Sequence, residues 1–310
     1  MVANNERDMF PLLRDFLNYT VTVGGRSQKT ADEYYLDLRT FFRYMQCYTR
    51  GDNDPAELSD VPISDIDIAY IERIKLTDVY EFLNYLGRSR ATHQNSRATG
   101  HGLMASSRAR KVSAIRSFYK YLEKKAHLIE ENPMQDLEFP KLKQSVTRYL
   151  TLDDSLELLT NIKGRNEVRD YCIITLFLNC GMRVAELCGI NLADFHGEIL
   201  RIIGKGNKER IVYLNDACIY ALNSYLPIRM DIRDVNPRDR NALFISGKKN
   251  RISTETVKWL VKKYCALSGL DPKISAHKLR HTSATLMYKN GVDLRALQEI
   301  LGHKHLNTTE

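Results

Sequence analysis

The sequence lacks any apolar run long enough to cross a bilayer. A membrane-spanning helix needs about 20 consecutive apolar residues, and no stretch among the 310 residues approaches that length. The amino-terminal residues, MVANNERDMF, also lack the apolar segment of a secretory signal peptide. With 43% hydrophobic residues, the chain can still bury the cores of two ordinary domains. These features predict a soluble cytoplasmic protein without a membrane partner.

Paired cysteines are missing as well. The six cysteines form no C-x-x-C pair, and most of them lie in apolar stretches such as YCIITLFLNC. A zinc site or a disulfide framework needs cysteines at characteristic spacings. We therefore expect buried, reduced thiols.

Acidic residues are absent from residues 88–120, although the whole chain contains 38 of them and has a net charge of +8. A basic run of this kind is often only a solvated loop and helix face. Its length, its single sign and its interspersed Ser, Thr, Asn and Gln donors favour contacts with nucleic acid phosphates. The basic residues of the run are Arg88, Arg90, Arg97, Arg108, Arg110, Lys111, Arg116 and Lys120.

Apolar residues recur at helical spacing in the first part of the chain, and no convincing strand pattern interrupts them. This pattern predicts a helical first domain over residues 1–131. Residues 132–148 contain two prolines and little periodicity, which is typical of an extended linker. The predicted helices cover residues 7–23, 30–48 with Thr30 as the N-cap, 77–86 and 106–126.

The second domain, residues 149–310, mixes helices with one hairpin. Thr151 and Asp154 have the spacing of a capping box, and residues 167–179 are apolar enough for a buried helix. Residues 198–215 contain two β-branched runs around a Gly-Lys-Gly-Asn turn, which predicts a hairpin. We expect a mainly α chain with a small antiparallel β-sheet. The remaining predicted elements are helices over 216–229, 254–267, 276–290 and 293–301 and a short strand at ALFIS, residues 242–246.

Cationic and protonatable residues occur in several separate motifs of the second domain. Arg183 stands at a helix start, Lys205 at the hairpin tip, and His277, Arg280 and His281 form an H-x-x-R-H motif. The three motif residues share one helix face because they are three and four positions apart. Together such groups could enclose a phosphodiester, neutralise its oxygens and move protons to and from it.

Each of these features has a simpler interpretation. A single arginine at a helix start often forms a surface ion pair, a hairpin lysine is usually solvated, and H-x-x-R-H arises easily by chance. A zinc-binding helix of this kind needs a glutamate that the motif lacks, and no third ligand is obvious, so we expect no metal. The order and spacing of the motifs within one domain are stronger support for a phosphate site.

The ordered motifs resemble a known family. GMRVAEL, GKGNKER, HKLRHTSATLM and LGHKHLNTTE follow one another as in the catalytic domain of the tyrosine recombinases, especially the bacterial Xer and phage-integrase branch. RARKVSAIRSFYKYL resembles the end of that family's amino-terminal core-binding domain. The resemblance spans nearly the whole chain. It implies a helical core-binding domain followed by an α+β catalytic domain.

The resemblance also implies a role for each catalytic residue. Arg183 and Arg280 would bind the scissile phosphate. Lys205 would protonate the leaving 5′-oxygen, His277 would act as acid/base and phosphate ligand, and His303 would hydrogen-bond a non-bridging oxygen.

Two supporting residues and the nucleophile complete the implied site. Glu186 matches the acidic position that orients Arg183, and His281 matches a position that serves either packing or function. In the family the nucleophilic tyrosine follows in a T-T-x-x-Tyr pattern, which places it two residues beyond Glu310. We therefore expect this chain to bind DNA without cleaving it.

The intact protein would be a site-specific recombinase without a cofactor. It would cleave and rejoin strands of double-stranded DNA through a 3′-phosphotyrosyl intermediate, as a homotetramer or heterotetramer on two DNA sites. A non-cleaving DNA-binding protein of the same fold is the alternative, and a type IB topoisomerase shares the chemistry. The segment 88–105 is longer than the corresponding Xer segment, which leaves the target-site preference open. The sequence also leaves open the choice between chromosome dimer resolution and mobile-element integration.

Overall fold

The computed structural model describes residues 8–55, 57–88, 102–141, 149–204 and 208–302. The chain forms two compact units, residues 1–144 and 145–310. Within the described ranges, no helix is long and apolar enough to cross a membrane. All six cysteines are free, and five of them are buried.

The first unit is helical, and all four predicted helices are confirmed. Helix α2 begins before the predicted Thr30 because the Ser27 hydroxyl, which accepts a hydrogen bond from the Thr30 amide, is its N-cap. The short helix α3 was not predicted; it begins after Asp67, whose side chain accepts a hydrogen bond from the Tyr70 amide. The helices are α1 Pro11–Thr22, α2 Gln28–Tyr48, α3 Ile68–Arg73, α4 Leu76–Gly87 and α5 Ala105–Lys124.

An aromatic cluster forms the core of the first unit. Phe10 and Phe42 pack edge to face with their ring centroids 4.9 Å apart, a geometry that aromatic quadrupoles favour. Met134 and Leu137 are fully buried in the same core. The packing of the first unit thus continues into the segment predicted as a linker.

The second unit combines helices with a three-stranded antiparallel sheet in the order β1-β2-β3. The predicted mainly α fold with a small antiparallel sheet is therefore confirmed. The predicted strand at ALFIS is wrong, because the chain there forms only isolated bridges, Asn191 with Ala242 and Ile245 with Arg251. The elements are α6 Leu152–Thr160, α7 Glu167–Cys180, α8 Val184–Gly189, β1 Phe195–His196, β2 Ile199–Ile203, β3 Glu209–Tyr213, α9 Asp216–Met230, α10 Thr254–Leu267, α11 Ala276–Lys289 and α12 Leu294–Leu301.

Helix α7 is the central element of the second unit. Most of its residues are buried, and α9 and α11 pack against it. It ends at Gly181, which has a left-handed φ of 55°, a conformation that glycine adopts without steric cost. The chain thereby turns directly from the core into Arg183 and helix α8.

Candidate functional site

A buried carboxylate, that of Glu186, is the centre of the candidate site. Its side chain is only 3% exposed, and guanidinium groups from three separate segments approach it. A buried carboxylate is costly unless it is paired and hydrogen-bonded. The residues around Glu186 therefore define a fixed cationic cluster.

Arg183 binds Glu186 from the start of the same helix. It is the N-cap of α8, and its backbone amide donates to Glu186 Oε2 at 2.8 Å while its Nη1 donates to Oε1 at 2.6 Å. The acidic residue three positions after the N-cap is the capping-box arrangement that fixes a helix start. The Arg183 side chain remains 40% exposed, so it can also reach a ligand.

Arg280 reaches the cluster from α11 and is almost completely buried. Its Nη1 donates to the Gly181 carbonyl and its Nη2 to the Leu301 carbonyl, both at 2.7 Å. The same Nη1 lies 3.7 Å from Glu186 Oε2. Arg280 thus joins the end of α7, the start of α8 and the end of α12.

The H-x-x-R-H motif lies in the first turns of α11. The Ser275 hydroxyl caps this helix by accepting a hydrogen bond from the Lys278 amide. His277 is exposed and His281 is partly buried, and the i, i+3, i+4 spacing places both on the Arg280 face. Burial, followed by the charge of His277, lowers the pKa of His281, which favours its neutral form at pH 7.

A third arginine, Arg210, belongs to the cluster and was missed by the sequence reasoning. Its Nη2 donates to Glu186 Oε2 at 2.9 Å and its Nε donates to the Ile300 carbonyl at 3.0 Å. It lies on β3, where its side chain is only 12% exposed. A charged residue on the inward face of a predicted strand was the signal that could have found it.

The electrostatics of the cluster favour an anion. Burial opposes ionisation of Glu186, but hydrogen bonds from Arg210 and Arg183 outweigh it and lower the pKa of Glu186 to about 2. Burial and then the neighbouring charge of Arg183 lower the pKa of Arg280 to about 10, which leaves it charged at neutral pH. Three guanidinium groups share one carboxylate, and the excess positive charge is suited to a phosphate.

The structure brings Arg183, Glu186 and Arg280 together, and it places His277 and His281 on the same helix as Arg280. Lys205 and His303 lie outside the described residues, as do Arg90 and Arg97. Their predicted roles stay predictions. Within the described ranges, no group of three or more His, Cys, Asp or Glu residues could hold a metal ion.

The basic residues near and along α5 differ in their surroundings. Lys111 is buried, and its ammonium group lies 2.9 Å from Asp37; Arg110 also pairs with Asp37, at 2.6 Å, but is 47% exposed. Arg116 donates to the Leu137 carbonyl, whereas Lys120 is exposed. The other described members are Arg88, which pairs with Asp54 at 3.3 Å, and the partly buried Arg108.

Comparisons with known proteins identify the family of the chain. The sequence pattern of the phage integrase family matches residues 148–310. A tyrosine recombinase XerC of Caldanaerobacter subterraneus subsp. tengcongensis is 46% identical over 302 residues, which cover 97% of this chain and 82% of that protein. A tyrosine recombinase XerC of Thermodesulfovibrio yellowstonii is 32% identical over 307 residues, which cover 96% of this chain and 89% of that protein.

A solved structure supports the fold. The XerH site-specific recombinase bound to difH substrate, in a pre-cleavage complex, is similar with a TM-score of 0.66 and 22% identity, over 96% of this chain and 79% of that chain. At that identity the likeness concerns the fold alone. The first of these relatives covers 97% of the chain, and the family match spans residues 148–310, the range in which Arg183, Glu186 and Arg280 lie. The chain therefore belongs to the phage integrase family and is a Xer-like tyrosine recombinase.

Proposed function

We propose that the intact protein exchanges strands between two double-stranded DNA sites through a covalent 3′-phosphotyrosyl intermediate. The observation that carries the proposal is the cluster of three guanidinium groups around the buried carboxylate of Glu186. DNA binding alone does not require arginines fixed from three segments, because flexible surface cations already supply non-specific affinity. Fixed donors are what stabilisation of a transition state requires.

The arginines would act on the phosphate itself. The planar fork of a guanidinium matches two phosphate oxygens, so Arg183 and Arg280 would hold the non-bridging oxygens and neutralise the charge that develops on them. Glu186 keeps both side chains in place. His277 lies exposed in the first turn of α11, where it can exchange protons with a bound phosphate and ligate it.

The reaction would break one bond and form one. The tyrosine hydroxyl gives its proton to His277 as the base while its oxygen attacks the phosphorus, the bond from phosphorus to the 5′-oxygen breaks, and Lys205 donates a proton to that leaving oxygen. His303 would hydrogen-bond a non-bridging oxygen. Because the covalent link preserves the phosphodiester energy, a 5′-hydroxyl from a second strand can attack it and rejoin the DNA without a cofactor.

The nucleophile is part of the proposal. Thr308 and Thr309 match the first two positions of the family's T-T-x-x-Tyr pattern, in which the nucleophile would follow two residues beyond Glu310, so cleavage is expected of a chain that contains that tyrosine. Strand exchange between two sites would need four subunits, as a homotetramer or a heterotetramer, and would take place in the cytoplasm. The first unit would add phosphate contacts through its accessible basic residues, among them Arg110 and Lys120.

The experiment compares two proteins on suicide-substrate duplexes: residues 1–310, and the same chain continued by its native reading frame past Glu310. Retention of DNA and covalent adducts are both scored. We expect both proteins to retain DNA and only the continued chain to form an adduct. Arg183→Gln in the continued chain should abolish the adduct, whereas Lys124→Ala, on an exposed residue paired with Glu123, should not. Binding without any adduct from the continued chain would instead support a non-cleaving DNA-binding protein.

A further inference from the structure

Arg210 links three parts of the second unit and has no role in the reaction described above. We propose that Arg210 is a positioning residue, which sets the geometry of Arg183 and Arg280 by holding Glu186 and the end of α12. The inference rests on the proposed function, because those two arginines matter as phosphate ligands. Three observations support it.

The first observation is the rigid base from which Arg210 projects. It lies on β3 opposite Ile202 of β2, within the continuous antiparallel pairing of the two strands. The hairpin closes next to it through a hydrogen bond of 2.7 Å from the Gly204 amide to the Lys208 carbonyl. A side chain on paired strands is held more firmly than one on a loop.

The second observation is how the hydrogen bonds to Glu186 are distributed between its two carboxylate oxygens. Oε1 receives Arg183 Nη1, whereas Oε2 receives the Arg183 amide and Arg210 Nη2. Arg280 Nη1 lies farther away, at 3.7 Å from Oε2. Without Arg210, the vacated side of Oε2 would draw Arg280 toward the carboxylate and away from a phosphate.

The third observation is the end of α12. The last carbonyls of a helix have no partner within the helix, and here Arg210 Nε binds the Ile300 carbonyl while Arg280 Nη2 binds the Leu301 carbonyl. Gly302 packs closely on Arg210, because a Cβ at Gly302 would lie 3.4 Å from Arg210 Cδ. Arg210 and Arg280 thus fix the same helix end, and His303 is the next residue of the chain.

Only an arginine has the geometry for this double contact. Its Nε and Nη2 are separate donors held at a fixed spacing in one plane, and here they reach acceptors on two segments. A lysine carries the same charge on a single nitrogen, so it cannot reproduce both contacts in a fixed plane. Charge and geometry can therefore be separated by substitution.

The chain offers a matched control in Arg201. It lies on the neighbouring strand β2, is 44% exposed, and its Nη2 lies 2.7 Å from Oδ1 of Asp194, whose side chain is 3% exposed. Arg201→Gln and Arg210→Gln therefore each remove one guanidinium from a buried carboxylate of the same region. Of these two carboxylates, that of Glu186 is the one in contact with Arg183 and Arg280.

The experiment uses the continued chain and measures single-turnover adduct formation on two suicide substrates, one with the ordinary 5′-oxygen and one with a 5′-bridging sulfur at the scissile phosphate. A displacement of about 1 Å can slow a reaction about 100-fold, so we expect Arg210→Gln to lose about 100-fold in rate with little change in DNA affinity. Arg210→Lys should recover only part of the rate. Arg201→Gln should form the adduct at the same rate as the continued chain without a substitution, which is called the parent protein below.

The sulfur substrate distinguishes positioning of the phosphate from proton donation. Sulfur leaves without a proton, so it rescues a defect in protonating the leaving group but not one in holding the phosphate. We expect no rescue of Arg210→Gln. Full rescue, or equal rates for Arg210→Gln and Arg201→Gln, would overturn the proposal.

A second measurement does not depend on cleavage. Amide hydrogen exchange of the α12 segment should accelerate about tenfold in Arg210→Gln, as expected when about 1.4 kcal/mol of local stability is lost, and should stay unchanged in Arg201→Gln. Unchanged exchange in Arg210→Gln would overturn the positioning role. If the parent protein forms no adduct, the proposed function is overturned. Amide exchange of α12 would then still test whether Arg210 holds the end of that helix.

Discussion

At the scale of single residues, Glu186 determines the arrangement of the candidate site. A carboxylate on a side chain that is only 3% exposed would normally take up a proton, since desolvation disfavours its charged form. Arg210 and Arg183 reverse this by hydrogen bonding, and the pKa of Glu186 falls to about 2. The charge of Glu186 is therefore part of the folded structure at neutral pH.

The low pKa predicts how the stability depends on pH. Because the folded pKa of Glu186 lies below its ordinary value of 4.5, its contribution is complete above pH 4.5 and is lost as the pH falls toward 2. Glu186→Gln should lower the free energy of unfolding at pH 7 by about 3 kcal/mol, which corresponds to the lowering of the pKa from 4.5 to about 2. Its stability should also fall less steeply below pH 4.5.

Urea unfolding of both proteins at several pH values between 7 and 3 checks this prediction. Glu209→Gln is the control, because Glu209 is 54% exposed and lies 3.5 Å from Arg201. Its curve should follow that of the parent protein. Parallel curves for Glu186→Gln and the parent protein would contradict the assignment of a charged Glu186.

The sequence predicted Arg183, Glu186 and Arg280 because they lie in recognisable motifs, but it left Arg210 unassigned. Arg210 alternates with exposed Ile211 and shares its strand face with buried Val212, so strand periodicity alone points it inward. Lys111 has an analogous pattern on α5, where it shares the buried face of Ile115. The charge of these two residues suggested an exposed position, whereas the strand or helix periodicity correctly indicates the buried face.

At the scale of elements, Gly181 connects the buried helix α7 with the start of α8 and the end of α12. Its φ is 55°, and its carbonyl accepts a hydrogen bond from Arg280. A Cβ at this position would lie 2.6 Å from Leu301 Cδ2. The glycine is therefore required by its backbone conformation and by the close packing of α12.

Gly181→Ala should accordingly lower the free energy of unfolding more than the same substitution at another glycine with a positive φ. Gly269 has a similar φ of 65°, but a Cβ at Gly269 would meet no atom within 4 Å, so Gly269→Ala should cost only the backbone term of about 1 kcal/mol. Gly181→Ala should cost about 1–3 kcal/mol more, because overpacking adds to it. Thermal or urea unfolding measures both. Equal costs would show that α12 does not pack on Gly181 in solution.

The elements themselves were largely predictable. Helices α10 and α7 follow continuous apolar patterns with clear ends, and the Gly-rich turn indicated the hairpin. The ALFIS segment was misread because its four buried residues, Ala242 to Ile245, look like a core strand. Their backbone groups are instead paired in part with buried arginine side chains and neighbouring loops, as when Arg229 Nε donates to the Ala242 carbonyl. An apolar run reports burial and does not specify the partner of the backbone.

At the scale of the whole molecule, the cationic residues occur in both compact units. The accessible residues of α5 belong to the first unit, and Arg183 belongs to the second. Under the proposed function, both units contact phosphates of one duplex in a single binding event. The salt dependence of DNA affinity counts such contacts, because each one releases condensed counterions.

Lys120→Ala and Arg183→Ala should each reduce the slope of log affinity against log salt by about 0.9, and the double substitution by about 1.8. Lys124→Ala is the control, since Lys124 is exposed on the same helix as Lys120 but pairs with Glu123 and lies outside the acid-free run. Its slope should equal that of the parent chain. Fluorescence anisotropy on one duplex at several salt concentrations measures all four variants. An unchanged slope after one of the two single substitutions would mean that this residue makes no phosphate contact. If the double substitution changes the slope no more than a single substitution does, the two contacts belong to different binding events. That result would refute simultaneous contact of both units with one duplex.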